Sequence, residues 1–359
     1  MKVVRKIFFL LLFFVPVVTL AVPEEAEKDT SEFDATEMIM HHISDAYDFH
    51  IVSFTNGRGE KVHVSLPLPV IIWHDGSLHV FMSSRFKGGE ALVAAGNDFL
   101  KLHHEKVYIT DAMGNIHYDE NHNILNEKPL NFSITKNVAS MLFVSFLLVM
   151  IFVSMARRYS RKGALAVPKG LQLALEPFVL YLRDDIVGAQ IDKDKMNRFL
   201  PFLLTIFFFI WFNNLMGLIP FFPGGANTSG NISFTLTLAV FTFIAVNLFG
   251  NKHYWKEIFT APGTPVFLKV LLVPIEFIGL FTKPFALMLR LFANITAGHI
   301  IVLSLTSIIF VLKTVYVAPL SITLSLMIFL LEFLVSLLQA YIFTLLAALF
   351  IGLAVNEHH

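Results

Sequence analysis

Residues 266–312 read VFLKVLLVPIEFIGLFTKPFALMLRLFANITAGHIIVLSLTSIIFVL, 47 positions that are apolar almost throughout. As one helix they would extend about 70 Å at a rise of 1.5 Å per residue, more than twice a hydrocarbon layer of roughly 30 Å. Two ordinary crossings or one steeply tilted helix would both fit that length. The polar residues decide between them. Glu276, Lys283 and Arg290 recur at seven-residue intervals, almost two turns, and so share one helix face. A continuous stripe favours one long helix, with Pro274 and Pro284 as places to kink. Arg290 lies in the middle of the run. Its guanidinium keeps its charge, and at membrane depth that costs at least about 2.5–3.5 kcal/mol. Such a group faces a protein interior, a water-filled cavity or a partner carboxylate, and marks an ion pathway. Snorkelling from a helix end is the plainer alternative, and the apolar runs on both sides oppose it.

Composition widens the same reading to the whole chain. Of 359 residues, 55% are hydrophobic, 38 are Phe, and 15% are charged, against roughly 25% charged in soluble domains. With a mean hydropathy of +0.67, this is a polytopic membrane protein. The 27 basic and 27 acidic residues balance, so no charge excess points to nucleic acid. Cysteine is absent, which excludes disulfides, thiolate catalysis, iron–sulfur clusters and Cys-based zinc sites. Residues 1–21 read as a signal peptide. Lys2, Arg5 and Lys6 precede a short apolar core, and Thr19-Leu20-Ala21 offers small residues for cleavage. An uncleaved anchor is the alternative.

Residues 22–136 alternate in the manner of strands, as in Val62-His63-Val64-Ser65-Leu66, with turn signals at Asn56-Gly57, Asp75-Gly76 and Gly114-Asn115. They read as a β-rich extracytoplasmic domain. Most of the 14 histidines fall here, including His41-His42 and His103-His104. No His pair has the i, i+4 spacing with a carboxylate that a helical zinc site uses, so they read as solvated side chains and no metal is expected. From residue 137 to 359 the chain is an all-α membrane domain. A span at 138–155 ends in Arg157, Arg158, Arg161 and Lys162, which places that end in the cytoplasm. Residues 168–187 read as an interfacial helix containing Pro177. Spans at 199–222 and 232–249 follow, then 266–312 crossing once and 318–355. That makes five crossings, the last two long and steeply tilted, with a cytoplasmic C-terminus.

On the last run Glu332 and Gln339 are again seven apart, with Ser336 between them. Two antiparallel tilted helices place Arg290 at the depth of Gln339, and His299 at that of Glu332, nearer the outside. Glu276 lies toward the cytoplasm. His and Glu can relay protons when partly desolvated, and Asn294 and Gln339 can hold water without adding charge. A central fixed cation repels a passing cation and attracts a carboxylate on a partner. The two half-paths therefore need a moving carrier. Each element also has a structural reading: Glu276 with Lys283 as a pair that lowers insertion cost, Arg290 with Glu332 as an ion pair, and Asn294 and Gln339 as interhelical hydrogen bonds.

Lys283-Pro284 followed by Leu289-Arg290-Leu291-Phe292-Ala293-Asn294 and Ala297-Gly298 resembles the signature of the subunit a family of rotary (F-type) ATP synthases. Residues 212–220 (FNNLMGLIP), Asn231-Ile232-Ser233 and residues 338–343 (LQAYIF) resemble further segments of it. The resemblance covers about 138–359. It implies that Arg290 faces a ring of c subunits, flanked by Asn294 and Gln339. It places His299 and Glu332 on an outer half-channel and Glu276, beside Lys283, on an inner one. Some members carry the acid and the imidazole of the outer pair exchanged. The implied partners are the c-ring, the subunit b peripheral stalk, the rest of the complex and the lipid bilayer, in a bacterial inner membrane. Neither a cofactor nor a catalytic centre is implied, and the chain has no GK[ST] phosphate loop. Gly217 and Ala286 stand where some members have polar side chains, and residues 22–136 take no function from the resemblance. The alternative is a secondary transporter with a buried Arg/Glu/His network, although no inverted repeat of broken helices is evident.

Overall fold

The computed structural model describes residues 36–356, except 37–38, 41–42, 56–60, 122, 164–166, 220–221 and 313. The expected signal peptide (1–21), the acidic run at 24–27, His41-His42 and the Asn56-Gly57 turn lie outside the described residues, as do Pro220, Lys313 and the end of the chain.

The N-terminal region is β-rich. Strands β1 (Asp48–Thr55) and β2 (Lys61–Pro67) pair antiparallel. Strand β3 (Pro69–His74) lies between β4 (Ser77–Met82) and the short β8 (Leu130–Asn131). A third sheet orders β5 (Val93–Ala95), β6 (Asp98–His103) and β7 (Lys106–Thr110). The β3–β4 turn is Asp75-Gly76, both at positive φ (51° and 73°), as a two-residue turn matched to strand twist requires. Val70, Ile72, Phe81, Phe86 and Leu100 form the core of this region.

Among the described residues seven α-helices of nine residues or more follow, of which five are long and apolar enough to cross a membrane. They are α1 (Lys136–Lys162), α3 (Lys193–Leu218), α4 (Ile232–Phe249), α6 (Val266–Val311) and α7 (Ala318–Val355). Helix α2 (Leu171–Tyr181) runs into a π-helical turn at Leu182–Val187, and α5 (Lys252–Thr260) joins α4 to α6. Residues 266–311 form one unbroken 46-residue helix that passes Pro274 and Pro284. The expected start of the second span shifts. Helix α3 begins at Lys193, six residues before the apolar run, and ends at Leu218 rather than 222. Its first turn is polar but still helical, and Lys195 Nζ donates to the Val355 carbonyl at 2.8 Å.

Helix α7 is the centre of the bundle, packed on α3, α4 and α6. Small residues make this possible. Ala340, Ala347, Ala348 and Ala354 are fully buried, as close helix approach in a membrane demands. Phe207, Phe208 and Ile210 of α3 are buried in the same core. Much of α6 faces outward, and Ile278, Phe281 and Phe285 are all exposed.

Candidate functional site

The polar stripe of α7 points inward. Glu332 is 8% exposed, Ser336 1% and Gln339 4%, a buried carboxylic acid among apolar helices. Glu332 Oε1 has no hydrogen-bond partner within the protein. The opposing helix makes room for it with a glycine: any side chain at Gly298 would collide with the Glu332 carboxylate. His299, next in the chain, turns toward α3. A methyl on Gly217 would sit 3.6 Å from His299 Nε2 and 3.1 Å from the Ala226 carbonyl oxygen. His299 and Glu332 thus occupy one neighbourhood, as their depths suggest. No hydrogen bond joins them among the described residues, because the imidazole faces α3 while the acid faces Gly298.

Arg290 is exposed, as is Asn294, one turn on. Among the described residues neither makes a hydrogen bond or ion pair. The matched depth of Arg290 and Gln339 is therefore not a contact: the amide is buried in the bundle and the guanidinium lies on the outer face of α6. The alternative reading of Arg290 and Glu332 as an ion pair finds no such contact among the described residues, for the same reason. Leu287, Met288 and Leu291 beside Arg290 anchor the opposite side of α6 in the core.

Nearer the start of α6, Lys283 Nζ lies 3.5 Å from Glu276 Oε1, both partly exposed. This is the pairing that two groups seven residues apart on one face allow. The structure adds neighbours that the sequence did not single out. Lys283, Leu280 and Pro284 line a small cavity with Thr242, Asn247 and Tyr254. The Tyr254 hydroxyl donates to Asn247 Oδ1 at 3.3 Å, and burial pushes it up to about 12. Asn251 caps α5 by accepting from the Tyr254 amide at 2.7 Å, which fixes that ring at the cavity.

The outer side holds a second set of unforeseen polar residues. Asn214 on α3 accepts from the Ser229 hydroxyl, and Asn214 Nδ2, Thr228 Oγ1 and Thr296 Oγ1 are buried without partners. Asn213-Asn214 inside an apolar span was the available signal. Among the described residues no group of three His, Asp or Glu side chains is placed to hold a metal.

Fold and site define the class: a multi-pass membrane protein whose two longest helices carry ionisable groups at membrane depth. Comparison with known proteins narrows it. The profile of the ATP synthase A chain family matches residues 138–352, well over half the chain, and the chain belongs to that family. It is 46% identical over 233 residues to ATP synthase subunit a of Chloroherpeton thalassium, covering 64% of this chain and 69% of that one. It is 45% identical to the protein of that name from Chlorobium phaeobacteroides over 236 residues, 64% of this chain and 67% of the relative. With ATP synthase subunit a 2 of Chlorobaculum tepidum it shares 42% over 264 residues, 71% of this chain and 72% of the relative. That last match is longer than the stretch from 138 to the C-terminus, so it runs back into the β-rich region. Residues 38–132 separately match a domain of unknown function, DUF8433. The secondary-transporter alternative finds no support in these matches.

Proposed function

We propose how the chain, a proton-translocating stator subunit of an F-type ATP synthase, moves protons. Residues 1–21 direct secretion, 22–136 lie outside, and 137–359 span the membrane with the C-terminus in the cytoplasm. Helices α6 and α7 tilt to fit, and the outer face of α6 meets a ring of c subunits. The peripheral stalk of b subunits holds the chain still against that rotation. A proton enters from outside past His299 and Glu332 and neutralises a carboxylate on the ring. The neutral carboxylic acid can then enter lipid, which its charged form cannot do cheaply. After nearly a full turn it releases its proton beside Glu276 and Lys283. Asn294 and Gln339 order water near the crossing point. Arg290 keeps the arriving carboxylate ionised and separates the two half-paths. The chain makes no ATP itself.

The observation that carries this reading is Arg290, exposed on the outer face of a long apolar helix with no counter-ion among the described residues. A charge so placed calls for a carboxylate from a partner. The experiment is ATP-driven proton pumping by assembled complexes in inverted vesicles, wild type against Arg290→Ala. Pumping should be lost while passive proton leak persists or grows. Undiminished pumping would end the central-arginine mechanism.

A further inference from the structure

Asp45 lies ahead of β1, in the lead-in to the β-rich region, yet its carboxylate belongs to the membrane domain. Thr135 Oγ1 donates to Asp45 Oδ2 at 2.9 Å and the Asn137 amide to Oδ1 at 3.0 Å. From the other side, Asn231 Nδ2 reaches Oδ2 at 3.5 Å. The main chain binds here too, since the Lys136 amide donates to the Ala46 carbonyl at 2.8 Å. One carboxylate thus joins the β-rich region, the head of α1 and the loop before α4.

Beneath it the polar character continues inward. Asn137 is 6% exposed and Ser140, three residues further along α1, is fully buried. Asn137 Oδ1 and Ser140 Oγ both lack a hydrogen-bond partner within the protein. On the facing elements the same is true of Thr228 Oγ1 and Asn214 Nδ2. Buried polar atoms left so are unfavourable, and the usual resolution is buried water making two to four hydrogen bonds. The tract leads to His299. The Asn231 loop carries Ala226, whose carbonyl lies beside Gly217 and so beside His299 Nε2, and Lys136 is within electrostatic reach of both Asp45 and His299.

We propose that Asp45, Asn137 and Ser140, with Thr228 and Asn214 opposite, form a water-holding vestibule that gathers protons outside and delivers them to His299. This rests on the assignment of His299 and Glu332 to the outer half-path. It gives the β-rich region a share in proton uptake, because the collecting carboxylate is carried on its own lead-in. The charged and titratable groups around Asp45 are Lys136 and Tyr47, with Asp48, Glu105 and His299 acting on those two or lying further along the tract. Burial raises Asp45 above its ordinary 3.8, against the hydrogen bonds from Asn137 and Thr135, so the carboxyl is better able to carry a proton.

The chain has no cysteine, so each introduced thiol is unique in this subunit, and the unsubstituted complex serves as the control for thiols elsewhere. Asn137→Cys, Ser140→Cys and Thr296→Cys are introduced one at a time into assembled complexes, and methanethiosulfonate ethyltrimethylammonium, whose fixed quaternary charge keeps it from crossing the membrane, is added from the outer side. All three should react, with proton pumping falling several-fold. If Thr296→Cys reacts and the two α1 positions do not, the vestibule is refuted while the half-path stands. If none reacts, the half-path fails and the vestibule with it. Asp45→Asn should slow proton-driven ATP synthesis several-fold, increasingly so as external pH rises, and Asp45→Glu should restore the wild-type profile. Slowing by the same factor at every external pH would reduce Asp45 to a docking residue and overturn its collecting role.

Discussion

Gly298→Ala tests whether the Glu332 carboxylate works from the position in which α6 and α7 hold it. A Cβ on Gly298 would fall 3.0 Å from Glu332 Cδ and 3.1 Å from Cγ, and nearer still to Oε1. Carbon–carbon contacts settle at about 3.5–4.0 Å, so the acid or one of the two helices must give by roughly half an ångström or more. Overpacking of this kind costs about 1–3 kcal/mol. If that cost falls on the position from which Glu332 exchanges protons, transport slows by roughly 5- to 150-fold at 1.36 kcal/mol per decade. Shortening the acid relieves the collision. Glu332→Asp withdraws the carboxyl by about one carbon–carbon bond, roughly 1.5 Å, so the double variant should pump faster than Gly298→Ala alone. The assay is ATP-driven pumping by complexes whose c-ring content matches wild type. Wild-type pumping by Gly298→Ala, or losses that simply add in the double variant, would refute the reasoning, because residues in contact should couple.

Gly352→Ala should lower the yield of folded protein, because the new methyl would meet the Gln190 carbonyl, with its carbon 3.0 Å away, and backbone yields less readily than a side chain; detergent-phase melting checks it. Phe86 is fully buried in the β-rich core, so Phe86→Ala should cost about 3–5 kcal/mol locally and open residues 69–110 to protease while α1 to α7 stay resistant. Backbone and side-chain hydrogen bonds from Asn115 hold Asp111 below its ordinary 3.8, and the side chain and then the amide of Asn123 do the same for Asp119. With folded values depressed, their contribution is complete above 3.8 and fades as pH falls through the folded values. Amide exchange at Asn115 and Asn123 should therefore lose protection below about pH 4, and protection that persists in acid would contradict it.

What could be read in the chain before its fold was whatever repeats locally. The seven-residue spacing of Glu276, Lys283 and Arg290 yields one long helix, and that helix is continuous from Val266 to Val311. Asp75-Gly76 likewise yields a hairpin through a short-range backbone preference. Hydropathy failed at the start of α3 because it marks where lipid begins, whereas the helix begins a turn and a half earlier, among charges. Asp45 could not be found this way at all. Its partners Thr135, Asn137 and Asn231 lie 90, 92 and 186 residues away, and no periodicity links such positions. The rotations of His299 and Glu332 were not legible, since a helical repeat fixes which residues share a face but leaves open which neighbour that face meets. Gly217 and Gly298 settle that question, each being the gap into which His299 or Glu332 fits.

The length of α6 sets how far apart its charged and titratable groups stand. From Glu276 to Arg290 is 14 residues, about 21 Å of helix, and from Arg290 to His299 about 13 Å. At an effective dielectric of 20, unit charges 21 Å apart interact by only about 0.8 kcal/mol. Over about 13 Å the figure rises to about 1.3 kcal/mol, so Arg290 couples weakly to a charge at either distance. Helix α7 faces a different constraint. Glu332 and Gln339 are buried between helices, so they need close neighbours with small side chains, which Gly298 and the alanines of α7 supply. On the proposed mechanism the exposed stripe on α6 would present a charge to a moving partner, and the buried stripe on α7 would hold the protons that reach it.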